Sequence, residues 1–239
     1  MERSPQECLI LKLESLETTI QDLSKKIYPA NPAALGLFAF GLTTALLQGV
    51  FTGIAEDETA ELVYAFGMFY GGLVQLLVGM WEIRRGNSFA ATAFSSYGAF
   101  WMSLALHGTL KTLNVYSATI RAEQMLLSLW GILTFIFFCG AVRLSIGLAT
   151  LFFSLTLLFF LLAAGHAYPA GVCIKVAGWV GIWTAACAFY CASADLLNEV
   201  WGRVVLPLGA FKPKRPKASL EADVHDISNK ATQSGAARV

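Results

Sequence analysis

The amino-acid sequence predicts an all-α integral membrane protein, with six transmembrane helices and both termini cytoplasmic, preceded by a short amphipathic helix of heptad pattern. Three observations carry that prediction. Hydrophobic residues fill 56% of the 239 positions, charged residues only 14%, and the mean hydropathy is +0.60, which is too apolar for an ordinary soluble domain. Uncharged apolar runs recur six times at a length of roughly 20 residues, which is what a helix needs to cross a hydrocarbon core. Between the runs stand Gly, Pro, Asn and charged residues, the punctuation that ends helices.

Composition also excludes several classes. A net charge of +1, with the basic residues gathered at helix ends and in the C-terminal tail, is no nucleic-acid signature and is the placement that sets membrane orientation. The amino-terminal residues are charged and heptad-patterned, so no cleavable leader is expected. Cys139, Cys173, Cys187 and Cys191 lie in apolar runs, where cysteine serves as a small, soft filler. Cys187 and Cys191 stand one helical turn apart, but no His or third Cys beside them completes a site; neither a metal nor a cofactor is expected.

Taken in order, residues 1–29 form the expected cytoplasmic segment. Within it, Leu9, Leu13, Leu16, Ile20, Leu23 and Ile27 alternate at spacings of four and three, a short heptad seam. Two readings fit: a self-associating coil, or an amphipathic helix on the bilayer surface, whose rather acidic polar face disfavours anionic lipid. Residues 30–208 form the transmembrane domain, and residues 209–239 are expected to be a disordered basic tail of Lys, Pro, Ser and Ala.

The transmembrane domain opens at Asn31-Pro32, a turn or helix-initiation signal that leaves unpaired backbone N–H groups facing any solute at the threshold. The expected spans are 33–54, 62–82, 88–110, 123–142, 144–164 and 171–194. Gly140, Arg143 and Gly147 are the grounds for a tight turn between the fourth and fifth; Gly165, His166, Tyr168, Pro169 and Gly171 separate the fifth from the sixth. Glu56, Asp57, Glu58 and Glu61 make the first loop acidic, whereas Arg84 and Arg85 make the second basic. The first loop therefore faces out. Arg143, Arg203, Lys212, Lys214, Arg215 and Lys217 agree, while Lys111, Arg121 and Lys175 dilute the pattern. Gly67 with Gly71, and Gly178 with Gly181 and Ala185, offer flat helix faces that permit close backbone approach; internal packing is the simpler use for them.

Fixed charge is nearly absent from these spans, yet Thr43, Thr44, Gln48, Gln75, Thr92, Ser95, Ser96, Tyr97, Ser103, Ser154 and Thr156 lie within them. Singly, such hydroxyls bond a carbonyl one turn back; together they compose an uncharged polar path. Spans one, three and five run the same way, and at about 1.5 Å per residue Phe40, Tyr97 and Leu155 fall in one layer at roughly 10 to 17 Å depth. Thr43, Ser96 and Ser154 stand beside them, giving an apolar collar with polar shoulders, a constriction able to gate by dewetting. The alternative is ordinary packing. No Arg or Lys is expected along the path, so a passing carboxylate should be held weakly and a small weak acid suits it best. His107 and His166 near the outer ends are candidate proton sensors, and Glu82 reads as structural.

Several motifs together are similar to one known family. Asn31 to Gly41, then Phe69-Tyr70-Gly71-Gly72 with Gln75, then Gly86-Asn87-Ser88-Phe89 leading to Ala93 through Trp101, continue with Phe152 through Thr156, Ala177-Gly178-Trp179, Leu197-Asn198-Glu199 and Gly202-Arg203. This succession resembles the acetate uptake transporter family, which includes the bacterial succinate–acetate permeases. The resemblance implies a six-helix protomer in a hexameric ring, moving acetate and related small carboxylates, with succinate among them, along a path inside each protomer, either channel-like or with proton coupling. It places the constriction on Phe40, Tyr97 and Leu155, and Asn31 and Gln75 on the substrate route. Thr43, Ser96, Ser154 and Thr156 complete the expected substrate-binding set. Ala34 and Ala39 depart from the family pattern. The expected setting is the plasma membrane or an organelle membrane. The alternative function is a sensor or scaffold that binds carboxylates or partners without flux; an enzyme is disfavoured because no paired acid and base face each other.

Overall fold

The computed structural model describes residues 5–27, 30–167 and 171–211. Helices account for nearly all of them: α1 (Pro5–Ile27), α2 (Ala33–Thr52), α3 (Thr59–Phe66), a π-helical segment (Gly67–Val74), α4 (Gln75–Arg84), α5 (Ser88–Thr112), α6 (Ile120–Ala141), α7 (Ile146–Ala167) and α8 (Val172–Trp201). Among the described residues there is no strand, only an isolated backbone bridge between Ser145 and Ala210. The expected tail over 212–239 and the Tyr168-Pro169 break lie outside the described residues.

Five helical stretches are long and apolar enough to cross a membrane: Ala33–Thr52, Thr59–Arg84, Ile120–Ala141, Ile146–His166 and Val172–Trp201. Helix α5 occupies the remaining expected span, but Ser, Thr, Tyr and His residues lower its hydropathy. The expected turn between residues 142 and 144 is present, with Arg143 N–H donating to Gly140 C=O at 3.0 Å and Leu144 N–H to Ala141 C=O at 2.9 Å.

Three helix starts, those of α5, α6 and α7, carry a side-chain cap. Asn87 accepts from Ala90 N–H at 3.2 Å to begin α5, and Thr119 accepts from Ala122 N–H at 3.3 Å to begin α6. Helix α7 begins with Ser145 accepting from Leu148 N–H at 3.2 Å. Its unpaired Ile146 and Gly147 N–H groups then donate to the carbonyls of Gly209 and Leu208, at 3.2 and 3.1 Å. The chain after α8 therefore folds back as a strap beneath α7. It stays paired as far as Phe211, whose N–H donates to Leu144 C=O at 3.0 Å, beyond the expected domain end at residue 208.

Packing follows the small residues. Helix α2 lies along α8, α6 along α7, α7 along α8, and the π segment with α4 along α5. A Cβ on Gly178 would stand 2.8 Å from Thr52 N, and one on Gly98 would stand 2.6 Å from Leu76 N; backbones this close admit only glycine. Both glycine faces expected from the sequence thus serve internal contacts: Gly181 packs on Gln48 and Gly71 on Thr43. The π segment has no counterpart in the sequence pattern. A π turn takes an extra residue and shifts the register of everything after it, and here it immediately precedes Gln75.

Among the described residues, helix α1 makes no packing contact with the other helices. Its seam residues Leu9, Leu13, Leu16 and Ile20 are exposed; the side chains of Leu23 and Ile27 lie outside the described set. A coiled coil therefore has no support within the single chain.

Candidate substrate path

A cavity of about 320 Å³ opens between the start of α2, the end of α4, the start of α5, the α6–α7 turn, α8 and the strap. Its walls are mostly apolar. Five of the expected residues line it, namely Asn31, Phe40, Gln75, Tyr97 and Leu155.

Phe40, Tyr97 and Leu155 are all buried and belong to one core cluster with Phe137, Phe152 and Phe159. The Phe40 and Tyr97 rings meet edge to face at 5.7 Å between centroids, a favourable aromatic geometry. Thr134 Oγ1 lies 2.7 Å from Trp130 C=O and 2.8 Å from the Tyr97 oxygen. A hydroxyl has one proton. With the Thr134 proton on Trp130, the Tyr97 O–H donates to Thr134, which pins the phenol to α6. Two rings and a leucine thus form one buried part of the cavity wall.

The neutral polar residues divide. Thr43 Oγ1 donates to Ala39 C=O at 2.9 Å and Thr156 Oγ1 to Phe152 C=O at 2.7 Å, the back-bonding expected of hydroxyls in lipid. Ser154 Oγ donates to Leu151 C=O at 3.0 Å and has Thr184 Oγ1 beside it at 2.9 Å. None of these lines the cavity. Ser96 lies in a separate shallow groove with Ser95, Thr92 and Met80. Gln75 is different: 1% exposed, on the cavity wall, with Oε1 unpartnered.

The Asn31 end is where sequence reasoning fell short. Asn31 Oδ1 accepts from Ala33 N–H at 3.2 Å, capping α2, and from Arg85 Nη1 at 2.6 Å. Arg85 Nη1 also lies 3.2 Å from Glu82 Oε1. Glu82 is fully buried and its Oε2 has no partner. Arg85, Asn87 and Asp195 line the cavity mouth. The expectation of a path without Arg or Lys is therefore corrected: a guanidinium stands at its opening. Arg85 reads in the sequence as a loop charge setting orientation, and Asp195 falls just past the expected end of the last span. The available signal is spacing, since Glu82 and Arg85 are three apart at a helix end and share a face.

The two histidines converge elsewhere. His107 Nε2 lies 3.4 Å and Lys111 Nζ 3.0 Å from Glu123 Oε1, with His166 Nε2 3.8 Å from Glu123 Oε2. One carboxylate thereby ties α5, α6 and α7 at the end opposite the cavity mouth.

Apolar helices, small-residue contacts and an interior cavity lined by a buried aromatic cluster define a multi-pass integral membrane protein of the transporter or channel class. The chain belongs to the GPR1/FUN34/yaaH family, whose profile matches residues 15–211. It is 40% identical over 181 residues to the succinate-acetate/proton symporter SatP of Escherichia coli strain K12, covering 75% of this chain and 95% of that protein. It is 36% identical over 199 residues to acetate permease A of Emericella nidulans, covering 76% of this chain and 66% of that one. The solved structure of the bacterial acetate channel SatP superposes with a TM-score of 0.72 at 41% identity, over 75% of this chain and 99% of that chain.

Proposed function

We propose that this protein carries acetate and related small carboxylates, including succinate, across a membrane through a path within each protomer. The observation that carries this reading is the cavity itself. It is lined by the polar Asn31, Arg85 and Asn87 as well as by the buried Phe40, Tyr97 and Leu155, which we read as its mouth and its collar. A small acid fits such a space: the mouth offers donors to a carboxylate, and the collar admits a short chain while excluding a continuous water column. The names of the family relatives point the same way.

On this reading Asn31 and Gln75 contact the cargo, and Phe40, Tyr97 and Leu155 are the constriction. Thr43, Ser154 and Thr156 support the path from behind by their helix-internal hydrogen bonds, and Ser96 serves outside it. All six helical stretches span the plasma membrane, including α5, whose Ser, Thr and Tyr side chains gain partners from its neighbours. The termini are cytoplasmic, residues 1–29 and 209–239 flank the transporter domain, and the protomers assemble as a homo-hexamer in lipid. The chain does no covalent chemistry.

Uptake of radiolabelled acetate into proteoliposomes tests the reading. Protein-dependent flux, reduced by competing short carboxylates, is the expected outcome; binding without flux would indicate a sensor, and neither would end the proposal. Accumulation under an imposed pH gradient distinguishes proton linkage from a channel.

A further inference from the structure

Arg85 is the one cation among the described residues that line the cavity. Its described contacts all use Nη1, toward Asn31 Oδ1 and Glu82 Oε1. A guanidinium carries five N–H donors in a planar fork that matches a carboxylate, so donors remain for a second anion. Glu82, from α4, has no other neutraliser: it is fully buried, Oε1 meets only Arg85, and Oε2 meets nothing. The remaining charged or titratable groups at this mouth come from α8. Asp195 and the Cys191 thiol line the cavity, and Glu199 stands one turn beyond Asp195. Helix α2 presents the neutral Asn31 and the start of α5 the neutral Asn87.

We infer that Arg85 holds the cargo carboxylate at this mouth and that Glu82 takes up a proton each time it does. The inference rests on the carboxylate-transport reading above. A cargo anion that pairs with Arg85 leaves two carboxylates sharing one guanidinium in an apolar enclosure, which the site cannot hold with both ionised. The proton comes from water at the mouth and adds to a Glu82 oxygen. The cargo oxygens take the guanidinium N–H donors that Asn31 and Glu82 leave free, and no covalent bond other than O–H forms. Release reverses both events, so one carboxylate and one proton bind and leave together. Glu82 fits this role better than Asp195 because it is fully buried and carries the unpartnered oxygen.

Two modes of transport by the full-length protein in proteoliposomes test this: exchange of labelled for unlabelled acetate at equal pH, and accumulation driven by a pH gradient. Glu82→Gln is expected to lose accumulation about tenfold more than it loses exchange, and Arg85→Gln to raise the half-saturating acetate concentration about tenfold. Glu199→Gln, a charge control on the exposed side, should retain both modes. Accumulation by Glu82→Gln equal to wild type would overturn the inference, as would wild-type exchange without accumulation; both would leave carboxylate transport standing. Absence of flux in wild type in either mode would instead overturn the transport reading beneath it. Should Glu82→Gln fail to fold, infrared difference spectra of wild type with isotope-labelled acetate decide. A new protonated-carboxyl band on binding is expected, and its absence would overturn the proposal.

Discussion

Tyr97 shows how one side chain joins packing to passage. Its hydroxyl is held by Thr134 on α6, and its ring is held by Phe40, Phe137 and Phe152 from three other helices. The collar is therefore rigid at Tyr97 and more yielding at Leu155, which has only dispersion contacts. Leu155→Ala is expected to cost about 2 to 5 kcal/mol, as large-to-small core changes do, and to raise the rate for bulkier acids relative to acetate. Thermal unfolding in detergent and a substrate panel in proteoliposomes measure the two effects. Tyr97→Phe removes one hydrogen bond while Thr134 keeps its bond to Trp130, so the stability loss should be only about 1 kcal/mol, with selectivity moved less than by Leu155→Ala. At this scale the meeting of Phe40, Tyr97 and Leu155 is legible in the sequence, because depth along parallel helices is a matter of counting. The divided fate of the hydroxyls is not: whether Thr43 faces the cavity or Gly71 depends on helix rotation, which spacing alone leaves open.

Among the elements, the α4–α5 pair and the strap are the most exposed to single changes. Gly98→Ala would place a methyl 2.6 Å from the backbone nitrogen of Leu76, where neither partner is a flexible side-chain tip. The helices must separate, and a loss of about 1 to 3 kcal/mol is expected by overpacking, with Gln75 displaced on the cavity wall; reduced flux and a lower unfolding temperature would register it. The strap hangs on Asn198, whose Oδ1 accepts from Val205 and Leu206 N–H at 2.6 and 3.0 Å and whose Nδ2 donates to Leu206 C=O at 2.8 Å. Tyr190 adds a bond to Pro207 C=O at 2.8 Å. Asn198→Ala should therefore free residues 203–211, uncap α7 and move Leu208 off the cavity mouth, seen as faster proteolysis of that segment. The sequence marks Asn198 through family resemblance, but the strap's pairing with α7 is a non-local contact that no local pattern announces.

For the molecule as a whole, flux should belong to the helical body and be independent of α1, because among the described residues α1 touches none of the other helices. Deleting residues 1–29 should leave the acetate rate per protomer within about twofold, whereas any change in assembly would show by size-exclusion chromatography in detergent. The two ends of the body differ in kind. The cavity mouth carries a guanidinium held by an amide and a buried acid, while the opposite end is tied by Glu123 to two histidines and a lysine. On the proposed reading, a path between such ends would suit a cargo that is charged at the mouths and small enough to pass the middle.

By itself the sequence determined the membrane class, the positions of most of the helices, and that Phe40, Tyr97 and Leu155 lie at one level. These depend on local quantities: run length against bilayer thickness, helix-stop residues, and rise per residue. The first expected span, 33–54, and the observed Ala33–Thr52 differ by two residues at one end. The tertiary structure alone decided that the π segment precedes Gln75, that the chain after α8 returns beneath α7, and that Arg85 and Asp195 face the same mouth as Asn31. Each of these depends on the rotation of one helix against another, and that rotation is set by where backbones approach through Gly71, Gly98, Gly178 and Gly181. In an all-apolar helix no amphipathic stripe tells the inside from the outside. The residues that carry charge at the mouth could be placed only once the helices were packed.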